Sequence, residues 1–315
     1  MKKGASQEAA EMMLNSLSPK TIQQYSKPIK LWWEFCQRNN LDIFCDSTPA
    51  ALQFFTETAR TTRSYSTLNV YRSAVSLLMD NKIGKDPSIT RFFKGVHTTK
   101  PSQSRYDATW DPQLVLQYLS TLYPNDTLTL EKLTMKLTTL LSLITAQRIQ
   151  TLKAIRLENI NLEREPIQIK ITDRLKTTGR TRYQPLLEIP SFENQPELCA
   201  AGVLRTYIQK TEKIRKGDKT KGYLLLTYKK PHQAATTASI SRWIKDTLNK
   251  SGINTDIFTA YSTRHASTSA AARRGINIEI IRKAAGWTAN SSVFGRFYNR
   301  PLIQSESFAA AVIQN

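Results

Sequence analysis

Hydrophobic side chains in the first hundred residues recur three or four positions apart, the spacing that puts them on one face of a helix. One such stretch covers residues 19–38. It begins with Ser18 and Pro19, a typical helix start, because serine caps the first turn and proline fits its first position. The same periodicity predicts three further helices, near residues 49–59, 66–81 and 87–96.

The aromatic residues of these stripes are expected to pack in a core: Trp32, Trp33 and Tyr71. Beyond them, residues 97–112 are polar, bounded by proline and without hydrophobic period, as linkers are. We therefore predict a helical domain at residues 1–100, a linker at 101–110 and a second domain at 111–315.

The second domain alternates helical patterns with a short β pattern. Residues 166–172 alternate apolar and polar side chains, as a half-buried strand does, and residues 183–189 form a second strand that Pro185 restricts to an edge. The predicted fold is therefore mainly α with a small antiparallel sheet. Four helices are expected, at 111–122, 128–146, 198–209 and 236–250, and the second of them is apolar enough to be buried.

The chain is strongly basic, with 45 Lys+Arg against 25 Asp+Glu in 315 residues and a net charge of +20. Such a field attracts polyanions, of which nucleic acid is the commonest. No run of residues has the length and apolarity of a membrane span, and the N-terminus lacks the apolar core of a secretion signal. The three cysteines do not have metal-site spacing, so we expect a reduced compartment and no metal.

The stretch 258–301 presents three candidate functional side chains from three short helices. Alanine-rich residues 262–274 favour a helix that contains Arg264 and ends at Gly275, and the next helix is expected to end at Gly286. Trp287 is therefore expected to lie in the turn that follows this helix. The last helix closes with Tyr298 before Pro301 blocks it.

At these residues the chain resembles the tyrosine recombinases, or phage-type integrases. Their H-x-x-R box corresponds to Tyr261-Ser-Thr-Arg264, their G-[HW] dipeptide to Gly286-Trp287, and their nucleophile, about eleven residues later, to Tyr298. The style of these motifs is most similar to the enzymes of DIRS- and Ngaro-type retroelements and of Crypton-like transposons. Tyr261 departs from the family, because most members have histidine there.

A fourth box lies upstream. The run TAQRIQTLKAI contains Arg148 in an apolar setting and resembles the family's first-arginine box, TGxRxxE, with Thr151 where an acidic residue is usual. The cation-rich turn DRLKTTGRTR between the two predicted strands resembles the family's hairpin. Its lysine enters the DNA as general acid, and Lys176 is the match.

The resemblance implies a role for each of these residues in breaking a phosphodiester. Tyr298 attacks phosphorus, Arg148 and Arg264 fork onto the non-bridging oxygens, and Trp287 donates its indole N–H. Tyr261 positions the phosphate or takes part in proton transfer, and Lys176 protonates the departing oxygen. His265, next to Arg264, is expected to be a packed helix residue, and no cofactor is implied.

The resemblance further implies an N-terminal core-binding domain of the SAM-like type, which closes with the catalytic domain around double-stranded DNA. Two pairs of subunits, a homotetramer, would act on two sites. The expected compartment is the nucleus in a eukaryotic host and the cytoplasm otherwise. Basic and hydroxyl side chains are the candidates for phosphate contact: Lys20, Lys27, Lys30, Arg63, Ser66, Thr67, Asn69, Arg72, Arg174, Arg180, Arg182, Arg242 and Lys245.

Two alternatives remain open from the sequence. A type IB topoisomerase shares this chemistry but relaxes supercoils as a monomer. A domesticated DNA-binding protein without activity is the other, and the departures at Tyr261 and Thr151 leave room for it.

Overall fold

The computed structural model describes residues 6–62, 64–79, 82–101, 104–175, 178, 184–215, 217, 220 and 222–303. The chain divides into two compact units, Met1–Gln103 and Ser104–Asn315. Each unit has its own hydrophobic core, so they are described separately. The assignment of the first unit to DNA binding stays a prediction.

Unit 1 is helical wherever it has regular structure in its described part. Ser18 starts its longest helix as expected, because its Oγ accepts the backbone N–H of Thr21 at 3.1 Å. The core contains stacked and edge-on aromatic rings contributed by several helices, among them Trp32, Phe54 and Phe93. The helices are α1 Gln7–Leu14, α2 Pro19–Arg38, α3 Thr48–Thr61, α4 Tyr65–Ser76 and α5 Pro87–Thr99, with a 3₁₀ turn at Lys82–Gly84.

Trp32 and Tyr71 are buried in this core, as predicted, but the prediction for Trp33 is wrong. Its side chain is 49% exposed. Consecutive residues on a helix point about 100° apart, so α2 directs only one of the two tryptophans at the core. Trp32 takes that position and donates its indole N–H to the Ile43 carbonyl at 2.8 Å.

Unit 2 begins with three helices and a small sheet and continues with four more helices. The predicted helices are all found, with ends that shift by a few residues. The elements are α6 Pro112–Ser120, α7 Leu130–Thr145, α8 Ile149–Lys153, β1 Ile160–Asn161, β2 Ile167–Lys170, β3 Leu186–Ile189, α9 Ala200–Thr211, α10 Thr237–Lys250, α11 Ser262–Arg273, α12 Ile278–Ala284 and a π-helical turn Phe294–Tyr298.

Helix α7 is the centre of unit 2, and it packs against α9, α10 and α11. It is buried along most of its length, as its apolar sequence predicted. The hydroxyl groups of Thr134, Thr138 and Thr145 donate to backbone carbonyls one turn earlier in the helix, as Thr138 does to the Thr134 carbonyl at 2.8 Å. The core therefore tolerates their hydroxyl groups.

The sheet is antiparallel with strand order β1-β2-β3. Ile167 pairs with Ile189 and Ile169 with Leu187, and these four side chains are buried while their neighbours face outward. The predicted fold class, mainly α with a small antiparallel sheet, is confirmed. The sequence did not reveal β1, which is only two residues long. Within the described part of the chain, no helix has the length and apolarity that crossing a membrane requires.

Candidate active site

Two glycines end the helices that carry the site. Gly275 has φ +76° and Gly286 has φ +64°, and each follows its helix in a Schellman turn. After α12, the Trp287 N–H reaches the Arg282 carbonyl at 2.8 Å and the Gly286 N–H the Lys283 carbonyl at 3.0 Å. These bonds set the direction in which the chain leaves the helix, and they explain why Trp287 lies in a turn beside α11.

Arg264 connects three segments of the site from inside unit 2. Its side chain is 1% exposed. It donates to the Ala146 carbonyl at 2.7 Å and to the Ala285 carbonyl at 2.6 Å. Its guanidinium carbon lies 4.5 Å from the centroid of the Trp287 ring, a cation–π distance. Arg264 therefore holds the end of α7 and the end of α12 against α11.

Arg148 lies just after α7 and is the N-cap residue of α8. It is half-buried and has no carboxylate partner among the residues that the structure describes. Burial, followed by the positive charge of Arg148, lowers the pKa of Arg264 to about 10, still far enough above neutrality to keep the group charged. Two guanidinium groups thus share a site in which the described residues supply no carboxylate. Unpaired guanidinium groups of this kind are what a phosphate-binding site requires.

Tyr298 ends the π-helical turn and is 6% exposed. Two other rings contact its ring. The His265 ring is stacked on it, with centroids 4.2 Å apart and planes inclined by 19°, and the Trp287 ring is 4.7 Å away. Ser269 of α11 fixes the backbone here, donating to the Tyr298 carbonyl and accepting the Arg300 N–H at 3.1 Å. Tyr298 is therefore held by ring contacts and at its main chain.

The hydroxyl of Tyr298 is hydrogen-bonded to that of Tyr261. Burial raises the pKa of Tyr298 to about 12, and the bond to Tyr261 acts in the same direction. The charges of Arg264 and Arg148 oppose that rise. Tyr261 is 37% exposed, so it connects the buried phenol to the surface.

Two donors of the site are buried without an acceptor among the described residues, the Nε of Arg264 and the Nε1 of Trp287. Buried N–H groups of this kind are rare in folded proteins and call for an explanation. Both belong to side chains that line Tyr298, since the Arg264 guanidinium lies 5.4 Å from the Tyr298 ring centroid.

Near Arg148, a network of neutral side chains occupies the place where an acidic residue is usual in the family. Thr151 donates to Gln147 Oε1 at 3.2 Å, and Gln147 Nε2 donates to the Ala284 carbonyl at 2.6 Å. Gln147 therefore fastens the Arg148 turn to the end of α12 without a carboxylate.

Comparison with protein families decides the identity of this arrangement. The sequence model of the phage integrase family matches residues 116–304, which contain Arg148, Arg264, Trp287 and Tyr298. The chain belongs to this family. It is a tyrosine recombinase, an enzyme that cleaves and rejoins DNA in site-specific recombination, as the motifs predicted. No curated protein matches the recombinase in sequence.

Solved integrases and recombinases share the fold of this recombinase at low identity. The XerH recombinase in a post-cleavage complex with a palindromic difH substrate has a TM-score of 0.61 at 16% identity, over 93% of this chain and 80% of that one. A lambda integrase dimer bound to a COC' core site has a TM-score of 0.54 at 15% identity, over 95% and 77%. The Tn1549 transposon integrase with circular-intermediate DNA has 0.54 at 14%, over 91% and 98%.

The fold of the recombinase brings together five of the six residues predicted to be catalytic: Arg148, Tyr261, Arg264, Trp287 and Tyr298. The sixth, Lys176, lies outside the described residues, so its role stays a prediction. The predicted DNA contacts Arg63, Arg180 and Arg182 also lie outside them.

The remaining predicted DNA contacts differ in exposure. Asn69 and Arg72 are half-buried, and the Arg72 guanidinium lies 4.6 Å from the Phe93 ring centroid, which gives it a packing role within unit 1. The others are exposed and accessible to a DNA backbone: Lys20, Lys27, Lys30, Ser66, Thr67, Arg174, Arg242 and Lys245.

Sequence reasoning missed part of the support around Tyr298. His265 was predicted to be a packed residue, which its burial agrees with, but its parallel stack on Tyr298 was not foreseen. Burial and then the charge of Arg300 lower the pKa of His265 to about 4, so the imidazole is neutral at pH 7. Gln147 and Ser269 carried no motif signal, because their roles depend on segments more than a dozen residues distant in the chain.

Proposed function

We propose that this recombinase cuts DNA by attack of the Tyr298 phenol on a phosphodiester, which leaves a 3′-phosphotyrosyl link. A bond forms between the phenolic oxygen and phosphorus, and the bond to the 5′ oxygen breaks. The reverse attack by a 5′ hydroxyl rejoins the strand. The link retains the energy of the broken bond, so rejoining needs no other source.

The observation that carries this proposal is that positive charge and unpaired N–H donors surround one phenol. Arg148 and Arg264 supply the positive charge, and the Arg264 Nε–H and the Trp287 Nε1–H have no acceptor among the described residues. A phosphate group offers anionic oxygens to all of them. In the transition state these oxygens gain charge, so fixed cations and N–H groups stabilise that state most.

Two protons move during cleavage, and we assign a residue to each. The Tyr298 hydroxyl is hydrogen-bonded to Tyr261, which is exposed enough to pass a proton to solvent. At the other end of the reaction the departing 5′ oxygen requires a proton, and the resemblance assigns this step to Lys176. Arginine is unsuited to either transfer, because it stays protonated in proteins.

The test is capture of the covalent intermediate. A duplex site is first selected from random-sequence DNA by binding to the full chain, then nicked so that the cleaved end diffuses away. Wild type, in EDTA, is expected to give a denaturation-resistant adduct with the DNA on Tyr298, as peptide mass spectrometry would identify. Tyr298→Phe should bind this DNA normally and give none, whereas the matched control Tyr118→Phe, a half-buried tyrosine of α6, should give the adduct.

An adduct that survives in Tyr298→Phe would refute this assignment. The product of the same reaction also addresses the two alternatives from the sequence. Exchange of strands between two duplexes supports the recombinase, relaxation alone would indicate topoisomerase-like action, and binding without an adduct would indicate an inactive protein.

We further propose that unit 1 is the core-binding domain and that the two units grip double-stranded DNA together. Exposed cations on both units support this, for example Lys27 on α2 and Arg242 on α10. DNA affinity should then fall steeply with salt. Related complexes include a lambda integrase dimer on a core site and a lambda integrase tetramer on a Holliday junction, and we propose a homotetramer on two sites here. DNA as substrate favours the nucleus in a eukaryotic host.

A further inference from the structure

The first residues of unit 2, 104–110, bind both parts of the active site. We call them the junction segment, because they follow the end of unit 1 directly. The sequence indicated only a polar linker here. Yet Tyr106, Thr109 and Trp110 are 4%, 0% and 3% exposed. A linker buried to this degree has contacts that need explaining.

One set of contacts fixes the start of α11. The Tyr106 hydroxyl is hydrogen-bonded to the Thr259 hydroxyl at 2.9 Å and accepts the Thr259 backbone N–H at 3.3 Å. The Trp110 indole N–H donates to Ser262 Oγ at 2.8 Å. Thr259 and Ser262 lie on either side of Tyr261. The junction segment therefore fixes the start of α11, where Tyr261, the hydrogen-bond partner of Tyr298, lies.

A second set of contacts reaches the nucleophile itself. The Thr109 N–H donates to the Pro301 carbonyl at 2.8 Å, and the Thr109 carbonyl accepts the Ile303 N–H at 3.1 Å. These bonds pair the segment with the chain just after Tyr298. In addition, the Tyr106 ring meets the His265 ring edge-on at 5.0 Å, and His265 is stacked on Tyr298. Tyr298 is thus supported through its backbone and through one intervening ring.

We propose that the junction segment positions Tyr298 for strand cleavage. Tyr106 is the central positioning residue, because it contacts both the α11 start and the ring stacked on Tyr298. This rests on the proposed role of Tyr298 as nucleophile. A phenol displaced by about 1 Å from in-line geometry loses about two orders of magnitude in rate, so small shifts of this support matter.

The test compares two tyrosines of unit 2. Tyr106→Phe and Tyr207→Phe each remove one buried hydroxyl that accepts a backbone N–H, at 3.3 Å from Thr259 and at 3.0 Å from Leu226 respectively. Cleavage is measured in single turnover on the selected nicked duplex, with the full chain in saturating excess and well below its unfolding temperature. We expect Tyr106→Phe to lower the rate constant about tenfold with unchanged DNA affinity, and Tyr207→Phe to leave it unchanged.

Equal rate constants for the two variants would overturn the positioning role, since each variant loses a buried hydroxyl that accepts a backbone N–H. If wild type forms no adduct on Tyr298, the proposed function fails instead, so the two failures are distinct.

Discussion

The phenolic oxygens of Tyr261 and Tyr298 are hydrogen-bonded to each other in the active site. One tyrosine is 37% exposed and the other 6%. Since burial raises the pKa of Tyr298 to about 12, little of its phenolate exists at neutral pH, and in the proposed attack its proton must leave. Tyr261 is in contact with both that proton and solvent. It thus occupies the position of a proton acceptor, although histidine is the usual residue of the family there.

Replacing Tyr261 by phenylalanine should slow cleavage while leaving DNA binding intact. The ring contacts with His265 and Tyr298 remain, but the hydroxyl that accepts the proton is gone. We expect the single-turnover cleavage rate constant to fall by about 10²-fold, as loss of general acid–base catalysis does. An equal loss of DNA affinity and folding stability would instead identify Tyr261 as a packing residue.

Replacing Tyr261 by histidine should retain activity and change its dependence on pH. An imidazole is unprotonated above about pH 6.5, so it accepts a proton at neutral pH more readily than a phenol does. We expect the pH optimum of cleavage to move downward relative to wild type. An unchanged profile from pH 6 to 9 would show that this position takes no part in the proton transfer.

The folding stability of unit 2 should depend on pH through Lys136. This side chain is fully buried in α7 and donates to the Leu122 carbonyl at 2.5 Å and to Asn125 Oδ1 at 2.9 Å. Burial lowers its pKa to about 8. The unfolded chain therefore binds more protons than the folded one between pH 8 and about 10.4, so stability should rise with pH across this window, by up to about 3 kcal/mol.

The measurement for Lys136 is urea denaturation at pH 8 and pH 10 for wild type and Lys136→Met. The variant leaves the Leu122 carbonyl without its donor, so its stability at any one pH does not test the prediction. The test is the change in the free energy of unfolding between the two pH values. This change should be smaller in the variant, and equal changes would show that Lys136 is not the titrating group.

The elements that position the site followed from local sequence rules. Gly275 and Gly286 end their helices, as predicted, in left-handed conformations, and Asn277 caps α12 by accepting the Glu279 N–H at 2.8 Å. Each of these features depends on a few neighbouring residues, so sequence alone can indicate them. The order of the four boxes then identified the family, which periodicity and charge alone did not.

The contacts between distant segments could not be predicted. Nothing local to His265 indicates that it stacks on Tyr298, and nothing local to Tyr106 indicates that it supports His265. The exposure of Trp33 was missed for a related reason. Helical spacing predicts only a broad apolar stripe along α2. The packing of α3 and α4 decides which edge of that stripe is covered.

Ala146 has a backbone conformation that glycine would adopt with less strain. Its φ is +49° and its ψ +23°, left-handed values that cost a side-chain-bearing residue about 1–2 kcal/mol. Its carbonyl accepts from Arg264, so the strain helps to direct a bond of the active site. We expect Ala146→Gly to raise the free energy of unfolding by about 1 kcal/mol in urea denaturation.

The control for Ala146→Gly is the same change within a helix. Ala272 lies half-buried in α11, where glycine should lower stability by about 0.5–1 kcal/mol. Opposite signs for the two variants would support strain at Ala146. A loss of stability in both would contradict it.

The two arginines of the site should differ in what their removal costs. Arg148 is half-buried without a carboxylate partner in the described residues, and its charge acts against that of Arg264. Arg148→Gln should therefore leave the free energy of unfolding unchanged or raise it, because a repulsion is relieved. Cleavage should nevertheless slow by about 10²–10³-fold, since charge stabilisation of the phosphoryl oxygens is lost.

Arg264→Gln should slow cleavage to a similar extent but also destabilise the fold. It leaves the Ala146 and Ala285 carbonyls buried without donors, each at a cost of about 1–3 kcal/mol. Urea denaturation and single-turnover cleavage of both variants, beside the exposed control Arg164→Gln, separate the two roles. If Arg148→Gln loses as much stability as Arg264→Gln, then Arg148 holds the fold together, and the assignment of its charge to the phosphate would have to be withdrawn.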